Sequence, residues 1–120
     1  MVVLDASAAL AYLQGEPGAD RVRDALEAGA VMSTANWAEV AQKLRRVDSW
    51  HVARALLLSF PLQLATVTVD DAEAAAGLWV DQPSLSLADR LCLALAGRLD
   101  LPALTADQAW AGLDRVELVR

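Results

Sequence analysis

Apolar residues fall along this chain in two rhythms. Short unbroken runs such as Val2-Val3-Leu4, Ala30-Val31-Met32 and Pro102-Ala103-Leu104-Thr105 read as short buried strands. Between them lie Ala- and Leu-rich stretches whose apolar positions suit helices. Helices are expected over Ser7–Leu13, Ala19–Ala28, Trp37–Arg46, Ser49–Ser59, Asp71–Trp79 and Leu87–Leu99, with a short one over Asp107–Ala111. Two more strands are expected: Leu62–Val69, for its β-branched residues, and Val116–Val119. Gly15-Glu16-Pro17-Gly18 and Asp81-Gln82-Pro83-Ser84 interrupt the chain between elements, and Gly29 closes the second helix as a C-terminal glycine commonly does. Strands alternating with helices imply an α/β fold with a short, mainly parallel sheet covered on both faces.

At 120 residues the chain is expected to form one domain around one core. A hydrophobic fraction of 56% argues against disorder, and much of it is helix-favouring Ala and Leu. The formal net charge of −6 excludes broad affinity for nucleic acid, so such a substrate has to be met by local arginines or metal ions. Cys92 is the only cysteine and sits in an apolar helix, which suits a reducing cytoplasm. No basic segment precedes the first strand, so no signal peptide is expected. The apolar stretch from Val52 to Val69 is charged at Arg54 and broken at Pro61, which speaks for helix, turn and strand over a membrane span.

The chemistry lies in the acids at strand–helix junctions. Asp5 and Asp107 follow strands directly, at the carboxyl edge where open parallel sheets form their sites, while Glu39 and Asp89 open helices that can lean over the same edge. Each has a structural alternative. Asp5 and Asp107 can cap the helices that follow them, and Asn36 with Glu39 and Ser86 with Asp89 have capping-box spacing. Asp70, Asp71 and Glu73 also follow a strand and open a helix, and for them capping suffices. Two features favour a site for the four. Ser7 follows Asp5 by two residues and Thr105 precedes Asp107 by two, so both strand ends pair a carboxylate with a hydroxyl. Asp89 also sits in an otherwise apolar helix, where a cation would compensate its charge.

The segments Val2-Val3-Leu4-Asp5-Ala6-Ser7-Ala8, Asn36-Trp37-Ala38-Glu39-Val40, Leu85-Ser86-Leu87-Ala88-Asp89-Arg90 and Leu104-Thr105-Ala106-Asp107 together resemble the PIN-domain nucleases, and within them the VapC toxins of toxin–antitoxin pairs. That resemblance runs over nearly the whole chain. It implies a three-layer α/β/α sandwich over residues 1–120 and metal-dependent hydrolysis of RNA to 5′-phosphate and 3′-hydroxyl ends. It also implies Mg²⁺ or Mn²⁺ held by Asp5, Glu39, Asp89 and Asp107, with Ser7 and Thr105 in support. A VapB-like antitoxin covering the site and a homodimer are implied as well. The apolar residues around Trp37, Val40, Leu44, Trp50 and Leu57 are a candidate dimer face.

Arg90, beside Asp89, can contact phosphate or brace a carboxylate, or else form a structural ion pair. Glu16 reads as an exposed loop acid, with an approach to the site as the alternative, and His51 as part of a solvated helix face. Lys43, Arg45 and Arg46 read as an exposed helix end, with contact to RNA as the alternative, and Trp37, Trp50, Trp79 and Trp110 as core or interface. Rival folds fail at required residues. A phospho-acceptor receiver needs a lysine near its end, and the only lysine is Lys43; a haloacid-dehalogenase-like phosphatase needs Asp-x-Asp after its first strand, where position 7 is Ser. A catalytically silent PIN-like binding module for RNA or protein remains as the alternative.

Overall fold

The computed structural model describes residues 1–120. Five strands form one parallel sheet: β1 (Val2–Leu4), β2 (Ala30–Ser33), β3 (Leu62–Ala65), β4 (Ala103–Thr105) and β5 (Val116–Leu118). Six α-helices accompany it: α1 (Ala6–Leu13), α2 (Ala19–Ala28), α3 (Thr34–Arg45), α4 (Trp50–Leu58), α5 (Val69–Asp81) and α6 (Leu87–Leu99). The strand order is β3-β2-β1-β4-β5. The chain therefore builds outward from β1 on one side, returns, and builds outward from β1 on the other. Between β1 and β4 the winding reverses, and a crevice opens at the carboxyl ends of those strands.

Alternating side chains in the central strands feed two cores, as the two-residue period of a strand requires. Val2, Leu4, Ala30, Met32 and Leu104 pack beneath α1 to α4. Val3, Val31 and Ala103 face the opposite way, against α6 and the fully buried Trp110. Helix α5 packs mainly on α6, completing the three-layer sandwich.

Several boundaries differ from the sequence expectation. Helix α3 begins at Thr34, not Trp37, because the Ser33 side chain accepts from the Ala35 N–H at 3.2 Å and caps it. Strand β3 stops at Ala65 because Thr68 turns the chain into α5 through a capping box with Asp71. Gly29 ends α2 with φ +110° and ψ 127°, a conformation only glycine adopts readily, although not the left-handed helical one. The residues expected to form a dimer face are otherwise engaged. Val40, Leu44, Trp50 and Leu57 are buried in the core under α1 to α4, and Trp37 packs edge-to-face on Trp50 with ring centroids 5.0 Å apart. They fill the chain's own interior because α3 and α4 pack face to face there. Trp79, by contrast, is 56% exposed.

Candidate active site

Asp5 stands where β1 ends and α1 begins, 3% exposed. Its Oδ1 accepts the Ala8 N–H at 2.8 Å and so caps α1. The Ser7 hydroxyl lies 2.8 Å from both carboxylate oxygens, and the Thr105 hydroxyl donates to Oδ2 at 2.6 Å. Both hydroxyls are themselves held by the backbone just after β4, since Ser7 Oγ accepts from Ala106 N–H at 2.9 Å across the strand pair and Thr105 Oγ1 from the nearby Asp107 N–H at 3.0 Å. The pairing of hydroxyl with carboxylate at each strand end is thus one connected network, which stitches β1 to β4 and sets the rotamer of Asp5. Burial pushes the Asp5 carboxyl up to about 6, against the opposing pull of Thr105, Ala8 and Ser7, with a smaller upward push from Asp89.

The other acids arrive from three further elements. Asp107 caps the short 3-10 turn Gln108–Trp110, its Oδ1 accepting from Ala109 N–H at 2.9 Å. Asp89 sits in the first turn of α6 and forms the expected capping box: its N–H donates to Ser86 Oγ at 3.1 Å and its Oδ2 accepts from Ser86 N–H at 3.2 Å. Glu39 projects from α3, where Oε1 accepts from the Asn36 side-chain amide at 2.9 Å. The capping box expected between Asn36 and Glu39 does not form, because Ser33 has taken the cap three residues earlier and Asn36 lies inside the helix.

Asp5, Glu39, Asp89 and Asp107 line one open cavity of about 170 Å³ with Ala6, Ser7, Leu10 and Lys43. Capping and convergence are compatible, because a cap occupies only one carboxylate oxygen. Asp107 Oδ2, Asp89 Oδ1 and Glu39 Oε2 are left without a protein hydrogen bond. No three of these carboxylates are gathered closely enough to enclose a metal ion as they stand, as expected of like charges that repel. The donor chemistry nevertheless suits a hard divalent cation, being all oxygen and largely carboxylate. Cys92 lies buried behind this wall. Burial, and then the fields of Asp5, Asp89 and Glu39, raise its thiol well above the ordinary value and keep it protonated, unsuited to serve as ligand or nucleophile.

Arg90 does not turn toward the cavity. Its guanidinium donates to the Ala75 carbonyl at 2.8 Å and the Leu85 carbonyl at 3.3 Å, so it fastens α6 to α5. Glu16 lies 3.8 Å from Arg120, also away from the four acids. Two residues beside the four acids are not assigned to the site by the sequence: Lys43, which lines the cavity, and Asn36, which bonds Glu39. Lys43 lies one helical turn beyond Glu39 on α3, and that i, i+4 spacing was the available signal. Asn36 was read only as a cap.

The family profile of the PIN domain matches residues 2–116. Among solved structures, a toxin–antitoxin complex from Klebsiella pneumoniae superposes with a TM-score of 0.82 at 22% identity, covering 100% of this chain and 98% of that one. VapC20 of Mycobacterium tuberculosis, a sarcin-ricin loop cleaving toxin, gives 0.76 at 22% identity over 98% and 99% of the two chains. DNA-bound VapBC from Salmonella typhimurium gives 0.75 at 12% identity over 100% of both. No curated protein matches the sequence. At these identities the structural likeness concerns the fold, and the family follows from the profile spanning nearly the whole sequence: the chain belongs to the PIN-domain family.

Proposed function

We propose that residues 1–120 act as one metal-dependent endoribonuclease domain, the toxin of a toxin–antitoxin pair. The observation that carries this reading is the convergence of Asp5, Glu39, Asp89 and Asp107, from four separate elements, on one cavity at the reversal of the sheet. When bound, Mg²⁺ or Mn²⁺ supplies Lewis acidity to a phosphodiester and lowers the pKa of water. Asp5, its rotamer locked by Ser7 and Thr105, is the fixed point of the cation site, and Glu39, Asp89 and Asp107 each offer one unengaged oxygen. The Lys43 ammonium at the rim draws the RNA backbone to an otherwise repulsive acidic surface. Neither His51 nor Cys92 is placed to act as nucleophile, which suits direct attack by water on phosphorus.

The structural neighbours that contain an antitoxin support a VapB-like partner for this chain. An inserted arginine or lysine of that partner would find in the acidic cavity a complementary charge and would exclude a metal. A homodimer is proposed on the outer face of α4 and the turn before it, where Val52 is 77% and Val47 66% exposed beside a groove also lined by Leu44 and Leu56. No helix is long and apolar enough to cross a membrane, and the unpaired Cys92 suits the reducing cytoplasm as the setting.

The test is cleavage of a structured RNA by wild type, Asp5→Asn and Asp89→Asn, with Mn²⁺ or with EDTA. Wild type should cut only with metal. The variants should remain folded and lose activity by roughly 100-fold, at or beyond the loss typical of disturbing a metal site's outer partners. Variants that cut as well as wild type would refute the site. Wild type that binds Mn²⁺ but cuts no RNA would favour a silent binding module.

A further inference from the structure

Asn36 is completely buried in the first turn of α3, and an amide in that position has to account for four hydrogen-bonding groups. Its Nδ2 donates to Glu39 Oε1 at 2.9 Å on its own helix and to the Ala88 carbonyl at 3.3 Å on α6. Both partners are pure acceptors, which fixes the orientation of the amide, because the flipped one would set oxygen against oxygen. The cost falls on Oδ1, which is buried without a partner. Such an orphan typically costs about 1–3 kcal/mol. An apolar side chain would avoid that cost if Asn36 served packing alone.

What the amide achieves is specific to the cavity. Ala88 immediately precedes Asp89, so one side chain ties the carboxylate of Glu39 to the first turn of the helix that carries Asp89. It also occupies Oε1 and leaves Oε2 unengaged toward a ligand. Asp5 and Asp107 have a comparable tether in the Ser7–Thr105 network across β1 and β4. Asn36 makes the side-chain hydrogen bond between α3 and α6, which otherwise meet through packing, so without it only packing would oppose the repulsion between Glu39 and Asp89.

We infer that Asn36 is a positioning residue for the cation site, acting through Glu39 to hold α3 and α6 at the separation that lets their carboxylates serve one divalent ion. This rests on the nuclease reading above but does not require any particular RNA. It predicts a specific dissociation between stability and metal affinity. Removing the amide should weaken the cation site while costing little in stability, because the unpartnered oxygen leaves with it.

The experiment is calorimetric Mn²⁺ titration of wild type, Asn36→Ala, Asn36→Leu, Glu39→Gln and the double variant Asn36→Ala/Glu39→Gln, with thermal unfolding of each in EDTA. Asn36→Ala and Asn36→Leu bracket the side-chain volume, so that a cavity or a clash in one is checked by the other. In at least one of them, with a melting temperature within a few degrees of wild type, the Kd for Mn²⁺ should rise about tenfold, the low end for loss of an outer partner of a metal site. In the Glu39→Gln background the same removal should change Kd less than about twofold, because a residue acting through Glu39 has nothing left to position. An unchanged Kd in both single variants, or an equal further loss in the Glu39→Gln background, would overturn the inference while leaving the nuclease reading intact. So would a loss of affinity seen only where the melting temperature collapses. If wild type binds Mn²⁺ no better than Glu39→Gln, the cation site itself fails and the inference falls with it.

Discussion

Asp5 carries the densest chemistry of any residue in the chain, being at once a cap, a strand-end anchor and a buried charge. Its carboxyl is raised to about 6 by burial, so the native state binds that proton more tightly than the unfolded chain does. The linkage sign follows: the stability associated with protonated Asp5 is fully present below the unfolded pKa near 4 and is lost as pH rises through about 6. Asn caps a helix about as well as Asp but carries no charge. Asp5→Asn should therefore gain on wild type as pH rises from 4 to 7, by about 2 kcal/mol, measured by denaturant unfolding in EDTA at the two pH values. A difference that is constant with pH would mean that Asp5 is not ionised at a cost. At the rim, Lys43→Gln should raise KM for RNA with kcat held, and should flatten the salt dependence of binding by about 0.7 in log–log slope, the share of one phosphate contact on a single strand. An unaltered slope would remove Lys43 from the substrate path.

At the scale of elements, junctions were legible and directions were not. Asp5, Asp89 and Asp107 could be read from sequence because a strand end or a cap fixes where a side chain must be, whatever packs around it. The start of α3 was misread because Ser33 and Asn36 are both good caps, and only the path of β2 decides between them. The sequence Val67-Thr68-Val69 looks like strand, yet Thr68 has Asp71 three residues on and opens a helix instead. Arg90 was placed near the site by its neighbour Asp89, but its orientation depends on the Ala75 carbonyl of α5, which no local pattern announces. The same helix pair is clasped by Arg98 and buried Asp71, at 2.8 and 3.1 Å. Chiefly the hydrogen bonds from Arg98 hold Asp71 below the usual carboxylate range. That clasp stabilises the fold above the ordinary carboxylate pKa and is lost as pH falls through the lowered one. Asp71→Asn should therefore be less stable than wild type at pH 7, with the gap closing in strong acid. Unfolding curves at pH 7 and pH 2 check this, and cleavage by the folded variant should persist because Asp71 does not line the cavity.

For the molecule as a whole, the order β3-β2-β1-β4-β5 gathers into one cavity residues that are distant in sequence. The reversal beside β1 brings position 5 next to position 105, while α3 and α6 carry Glu39 and Asp89 over the same edge. Four carboxylates line the cavity in a chain of net charge −6, and a cation bound there would relieve their mutual repulsion. Mn²⁺ at a hundredfold excess over its Kd should stabilise wild type by about 2.7 kcal/mol through mass action, seen as a rise in melting temperature that Asp89→Asn largely lacks. An equal rise in both would place the ion elsewhere. The central claim is that four carboxylates form one cation site, and Mn²⁺ titration of wild type against the single variants Asp5→Asn, Glu39→Gln, Asp89→Asn and Asp107→Asn tests it most directly. Each substitution should weaken the same single binding event severalfold without unfolding the protein in EDTA. Wild-type affinity retained in three or more of the four would contradict it.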